Sequence, residues 1–344
     1  MSRSFPKAVW AGSLERYASR ETMARMMDRL ARGGFDLVIP IIKPGKGGVL
    51  YRSERIPMDP ALKGVDALRL CIEEAHQRGI KVHAWSSVFR EGPESPLVRE
   101  HPDVVAVRFP SASPLPPGKP NTWVCTARPE VHEYEAAIFR EVMDRYDVDG
   151  IHYDFIRTGY FQCSCAVCRA KCMELTGQAD GVMREPADAS NIMARGYEEW
   201  SAWRVSNVTR FVETVSDVAH RAGKEVSAAV FISFPLAYCE NGQDWPDWAR
   251  RGLVDIVMPM NYSMSRKEVR YYALTHRPLM EGAPARIWQG LYHGDVRVPA
   301  DHFMDRVRIV RQCGAQGLVI FEWSGLTDEL ADRLAAFEQE WIAC

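Results

Sequence analysis

Short apolar runs alternate along the chain with longer stretches in which apolar residues recur every three to four positions. Eight runs carry the strand signature: Ala8–Ala11, Leu37–Ile41, Lys81–Trp85, Gly150–Asp154, Val226–Phe231, Ile256–Met260, Ile287–Leu291 and Leu318–Phe321. They are rich in β-branched and aromatic residues and bounded by turn formers or polar residues. Between them lie the helix-like stretches Arg20–Arg32, Ala67–Arg78, Val208–Ala222 and His302–Cys313. Each runs into a glycine (Gly33, Gly79, Gly223, Gly314), the residue a helix C-terminus favours.

Strand and helix repeated eight times demand a parallel sheet with right-handed crossovers, and eight units close into a (β/α)8 TIM barrel of the α/β class. The Gly-x-Gly-x-x-Gly of an open dinucleotide-binding sheet does not follow the first run. The spacing roughly doubles after the third and fourth runs. One barrel domain over 1–344 with long insertions near 86–130 and 158–200 is therefore expected. Within them, Phe109–Pro120 reads as a Pro-rich loop and Gly177–Ser190 as a loop or flap.

Composition narrows the function classes. With 26% charged and 47% hydrophobic residues among 344, the chain has the balance of a globular protein. Forty-three Lys and Arg face 45 Asp and Glu, a net charge of −2, and no basic stripe offers itself to nucleic acid. No apolar run reaches the roughly 18 residues of a membrane span, and Arg3 and Lys7 precede no apolar signal core. The chain as it stands is expected in the cytoplasm, or exported if a signal was removed. Nothing in the sequence speaks to oligomeric state.

In a barrel of this kind the loops after the strands build the site, so polar residues at strand ends are the candidates. They are Lys43; His83 and Trp85; His152, Asp154 and Arg157; Glu240 and Asp244; Asn261 and Tyr262; Gln289, Tyr292 and His293; Glu322 and Trp323. Carboxylates, aromatics and neutral polar groups around one mouth suit a sugar, which stacks on rings and hydrogen-bonds through its hydroxyls. Strand alternation sends His152 and Asp154 to one side and Tyr153 to the other. The structural alternatives are an Asp154–Arg157 ion pair and a His152 that fills an interior layer. Trp200/Trp203 and Trp245/Trp248 read as packing pairs at helical spacing, with Trp245 the exception because it abuts Asp244. The first run lacks the His-x-His of a metal-dependent amidohydrolase barrel, and no Gly-x-Ser-x-Gly elbow serves a serine hydrolase.

Four of nine cysteines fall within ten residues, at 163, 165, 168 and 172. Cys-x-Cys-x2-Cys can wrap one tetrahedral cation, with Cys125 or Cys172 as fourth ligand. A four-thiolate shell leaves no open position, so such a zinc would be structural; disulfides in an exported protein and reduced thiols are the alternatives.

Several segments together resemble the glycosyl-hydrolase-like family 10 barrels: Lys7–Trp10, Gly34–Val38, Val148–Arg157, Gly242–Trp248 and Gly252–Tyr262. Cys125 followed by Cys163, Cys165 and Cys168 is also similar to the structural zinc site of the family 42 β-galactosidases, whose Asn-Glu acid/base pair this chain lacks. The resemblance implies a glycoside hydrolase acting on a carbohydrate. Asp154 would serve as nucleophile or base, with Asp244, then Glu322, then Glu240 as the acid. His83, Trp85, His152, Arg157, Asn261, Tyr262, Gln289 and Trp323 are expected to contact the sugar, and Cys125, Cys163, Cys165 and Cys168 to hold zinc, with no organic cofactor. A carbohydrate-binding barrel without catalysis, or a transglycosylase on the same sugars, remains the alternative.

Overall fold

The computed structural model describes residues 5–12, 14–108, 122–159, 162–177, 196–294 and 298–342. Eight parallel strands close into a barrel: β1 Lys7–Ala11, β2 Leu37–Lys43, β3 Lys81–Ser87, β4 Gly150–Asp154, β5 Glu225–Val230, β6 Ile256–Pro259, β7 Arg286–Tyr292 and β8 Gly317–Phe321. They are the eight expected runs, shifted by no more than two residues at any end. Each strand pairs with its sequence neighbours, and β1 closes on β8 through Lys7 opposite Leu318 to Trp10 opposite Phe321. All seven residues of β2 are buried, as both faces of a parallel strand under helices must be.

The helices that cover the barrel are α1 Arg20–Arg32, α2 Ala67–His76, α3 Pro129–Arg145, α4 Tyr197–Arg221, α5 Trp245–Arg250, α6 Arg266–Leu279, α7 Ala300–Gln312 and α8 Asp328–Ile342. Ser19, Asp66, Asp244 and Ser265 cap α1, α2, α5 and α6 by accepting a backbone N–H three residues on. Helix α4 starts eleven residues before the apolar periodicity indicates, because its first turns bury Trp200 and Arg204 away from the barrel wall. Gly79 takes φ +70 just past α2, where a side chain would be strained.

Both long connections carry structure of their own. After β3, the antiparallel pair Arg90–Glu91 and Thr122–Trp123 and the helix Pro96–Glu100 precede α3. After β4, the helix Ala166–Thr176 precedes α4, and the helix Phe234–Asn241 follows β5. Phe109–Pro120 and nearly all of Gly177–Ser190 lie outside the described residues. Among the described residues, no helix is long and apolar enough to cross a membrane.

Candidate active site at the barrel mouth

The polar strand-end residues divide into those that reach a cavity and those that other protein groups consume. A cavity of about 510 Å³ opens over the C-terminal ends of the strands, and Trp85, Arg90, Asp154, Arg157, Tyr262 and Phe321 are among its walls. Asp154 is the carboxylate in that wall. Burial pushes its carboxyl above the usual range, against the Phe155 backbone N–H, which donates to Oδ1 at 2.6 Å, and the neighbouring Arg157 guanidinium. Phe155 adopts φ +49, an unusual backbone for a bulky residue, and this turn presents Asp154 to the cavity with Phe155 beside it.

Arg157 is buried and lies over three rings: Trp123 at 4.7 Å, Phe231 at 4.8 Å and Phe155 at 5.0 Å. Arg90 lies over Phe155 at 5.0 Å. The cavity therefore presents one carboxyl and two guanidinium groups on an aromatic lining. Tyr262 stacks on Phe321 with ring centroids 5.3 Å apart and meets the edge of Trp10 at 6.2 Å. Burial raises the Tyr262 phenol well above its ordinary value, and the charges of Asp154 and then Glu322 add to the effect, so both carboxylates act on one hydroxyl.

Glu322 follows β8 and accepts a hydrogen bond from the Ser324 hydroxyl at 2.6 Å. Its carboxylate occupies the space a side chain at position 12 would need: a Cβ on Gly12 would lie 2.5 Å from Oε2. Gly290 does the same for Trp10, whose ring edge would be 2.8 Å from a Cβ there. Neither close approach has a sequence signal, since a glycine after one strand says nothing about a carboxylate arriving from another.

The other expected contacts sit elsewhere. His152 lies under the mouth: its Nε2 accepts from the Trp10 indole at 2.8 Å and its Nδ1 bonds the Ser227 hydroxyl at 2.9 Å. His83 is deeper still, with Nδ1 on the same hydroxyl at 2.9 Å and Nε2 3.6 Å from Glu225. Gly150 makes room for that ring. Both histidines are fully buried, so the expectation that they touch substrate gives way to interior polar packing. Asn261 and Gln289 point away from the cavity: Asn261 donates to the Val269 carbonyl at 3.1 Å, and Gln289 bonds His276 Nδ1 at 3.0 Å. Trp323 is buried and donates to the Gly12 carbonyl at 2.8 Å.

Asp244 is the N-cap of α5, accepting from the Asp247 N–H at 3.2 Å, and is not among the cavity walls. Trp245 beside it is buried against Phe234 and His276, so it packs like Trp248 and Trp200. Glu240 lies in the helix Phe234–Asn241, where its backbone carbonyl accepts from Arg204 and Thr158, and it is not among the cavity walls. Lys43 turns into a buried cluster with Glu91 and Glu135, its Nζ 2.7 Å from the Glu135 carboxylate. His293 is buried against Phe303.

Beside the mouth, Cys125, Cys163, Cys165 and Cys168 bring their sulfurs within 4.8 Å of one another, with Cys125 3.5 Å from Cys168 and 3.7 Å from Cys165. None forms a disulfide. Cys172 is buried nearby, its thiol 3.8 Å from the Thr176 hydroxyl, and stands outside the set of four. Four thiols in this arrangement form a group able to hold a metal ion.

Comparison with known proteins adds to this geometry. The family described as Glycosyl hydrolase-like 10 matches residues 7–301. Glycosyl hydrolase DigH of Escherichia coli is 26% identical over 291 residues, covering 74% of this chain and 61% of that protein. Glycosyl hydrolase YngK of Bacillus subtilis is 28% identical over 282 residues, covering 71% and 49%. The chain thus spans about three fifths or less of the curated relatives it matches. Among solved structures, the PgaB (BpsB) glycoside hydrolase domain of Bordetella bronchiseptica superposes with a TM-score of 0.76 at 14% identity, covering 97% of this chain and 98% of that one. The β-galactosidase of Halorubrum lacusprofundi gives 0.69 at 15% identity, covering 98% and 58%. At such identities the structural likeness speaks for the barrel fold.

Proposed function

The chain belongs to the glycosyl hydrolase-like 10 family, and from that premise we propose that it hydrolyses glycosidic bonds of an oligo- or polysaccharide at the barrel mouth, with Asp154 and Glu322 as its two carboxyl groups. The observation that carries this reading is Asp154: a desolvated carboxyl in the wall of an aromatic cavity at a barrel strand end. A glycosidase needs one carboxyl to protonate the leaving oxygen and a second to attack the anomeric carbon or activate water. Burial raises Asp154 in the direction that suits the proton donor, so this assignment reverses the division of labour expected from the sequence. Glu322, oriented by Ser324 and wedged against Gly12, is the partner, its charge acting with that of Asp154 on the Tyr262 hydroxyl. Tyr262 and Phe321 offer stacking faces, and Arg157 bears on the Asp154 carboxylate left after proton donation.

The test is Asp154→Asn assayed on polymeric glycans and on nitrophenyl glycosides. Turnover of the polymer falls sharply, whereas an aryl glycoside, which needs little acid help, retains much of its rate at the bond-breaking step. Near wild-type turnover of any cleaved glycan by Asp154→Asn removes the centre of the reading. Product analysis separates hydrolysis from transfer to a second sugar.

The cysteine group is best read as a structural zinc site. Zinc–sulfur bonds of about 2.3 Å place tetrahedral sulfurs about 3.8 Å apart, close to the observed 3.5 and 3.7 Å, whereas a disulfide requires about 2.0 Å. Four thiolates would close the shell, so the ion would tie Cys125, in the first insertion, to Cys163–Cys168 in the second and take no part in bond cleavage. Elemental analysis of protein purified without chelator should return one zinc per chain, and Cys165→Ser should lose it.

A further inference from the structure

A buried cation on α4 stands outside this account. Arg204 lies on α4, one turn beyond Trp200 and on the same face, and Trp200 packs among Cys125, Cys165, Cys168 and Cys172. Its guanidinium is buried and, among the described residues, forms no ion pair with a carboxylate. It donates to the carbonyls of Cys239 and Glu240, both at 2.9 Å, and to the Thr158 hydroxyl at 3.1 Å. A guanidinium taken out of water without a counter-anion is costly, and three neutral acceptors offset only part of that cost. Burial disfavours its charged form; negative charge on Tyr197, on Cys168 and Cys163 of the cysteine group, and on Cys239 would favour it again. A divalent cation in four thiolates leaves two net negative charges, which would supply the missing anion.

The same fork reaches the catalytic mouth. Thr158 directly follows Arg157; its hydroxyl donates to the Glu240 carbonyl at 3.2 Å and its amide to the Asn241 carbonyl at 2.9 Å. Through Thr158 and the end of the helix Phe234–Asn241, Arg204 ties the chain leaving β4, from Asp154 at its end through Arg157, to the segment after β5, which carries Phe231 and Ile232 of the cavity wall.

We propose that Arg204 is a positioning residue that couples the thiolate-bound cation to the substrate mouth: it neutralises the charge of the metal-bound cysteines and holds the loops after β4 and β5 in register. This rests on the zinc reading above, and the charge and the fork can be separated. Arg204→Met keeps the aliphatic stem and loses both; Arg204→Lys keeps the charge and loses the fork.

The experiment measures zinc affinity by competition with a chromogenic chelator, and backbone hydrogen exchange over residues 155–159 with and without zinc, in the wild type and both variants. In the wild type, removing zinc raises exchange in this segment and leaves α1 unchanged. Arg204→Met binds zinc about tenfold or more weakly, and at saturating zinc its 155–159 segment exchanges as fast as in the zinc-free wild type. Arg204→Lys binds zinc within a few-fold of wild type but shows the same fast exchange. If Arg204→Met does not fold, Arg204→Lys alone decides, through unchanged affinity with lost protection. Wild-type affinity and wild-type protection in either folded variant overturn the coupling. A wild-type protein that takes up no zinc, with Cys165→Ser indistinguishable from it, overturns the metal reading instead.

Discussion

Two sets of polar residues at the ends and in the interior of the same barrel have opposite fates. Asp154, Arg157 and Tyr262 line an open cavity, with Glu322 close enough for its charge to act on Tyr262, whereas His83, His152, Asn261 and Gln289 are bonded to other protein groups and closed off from solvent. What separates them is depth and direction. His152 is two residues before Asp154 on one side of β4, but it lies one layer lower, where Trp10 and Ser227 already occupy its two ring nitrogens. Asn261 and Gln289 face the covering helices, where α6 supplies the Val269 carbonyl and His276. A polar strand end is therefore a candidate for the site where its side chain reaches the cavity, and not where other protein groups take up its polar atoms out of contact with solvent.

The largest effect should come from exchanging one member of each set. Asp154→Asn should reduce kcat on a polymeric glycan by about 10² to 10⁴, the usual contribution of a positioned acid or base. His152→Gln should leave kcat within about tenfold and appear mainly as a lower melting temperature, since an amide can still accept from Trp10 but fits Ser227 less well. If steady-state kinetics and thermal melts give the reverse order, the comparison is wrong.

A finer probe tests Glu322 without touching it. The Cβ of Gly12→Ala would fall 2.5 Å from the carboxylate, the movable end of a side chain, so the chain should fold while Glu322 is displaced. Displacing a reacting group by about 1 Å can cost about 10²-fold in rate. A loss of about tenfold or more in kcat, with an unchanged melting temperature, is expected. Unaltered kcat would remove Glu322 from the mechanism.

The set behind the wall should behave oppositely. Gln289→Leu strands His276 Nδ1 in a buried position and should destabilise by about 1–3 kcal/mol in denaturant titrations, with kcat essentially unchanged.

The sequence makes the fold legible because strand and helix periods are local: the eight runs and Arg20–Arg32 emerge nearly residue for residue. Asp154 is legible for the same reason, as alternation within one strand sets its side. Glu322 is only partly so, because its role depends on Gly12, which reaches it only when β8 closes on β1. Asp244 misleads because a strand-end carboxylate and a helix N-cap occupy the same place in a βα loop, and only the hydrogen bond to Asp247 tells them apart. Arg204 is invisible in the pattern, since a lone arginine on a long helix reads as solvent-facing until its burial and its bonds to the Cys239 and Glu240 carbonyls are seen.

The smallest effect is also the most direct reading of the opening contrast, because the two sets should respond to pH with opposite signs. Burial raises the Asp154 carboxyl above its ordinary 3.8, so the unfolded chain gives up that proton first as pH rises. The stability this group contributes is complete below about pH 3.8 and is lost as pH rises through the raised value. At neutral pH the folded chain therefore holds a desolvated charge that Asn does not carry. Asp154→Asn should melt above the wild type at pH 7, with the gap closing toward pH 4. His152 is displaced the other way: burial, with His83 as a secondary cause, takes it well below its ordinary 6.5. Its contribution is complete above about pH 6.5 and is lost as pH falls toward the depressed value, because the unfolded chain then takes up a proton that the interior refuses. The deficit of His152→Gln should therefore be largest above pH 6.5 and shrink on acidification. Differences from wild type, taken from melts between pH 4 and 8, cancel the titration of every shared group. Slopes of the same sign for the two variants would show that Asp154 and His152 feel one environment, and would dissolve the distinction between mouth and interior.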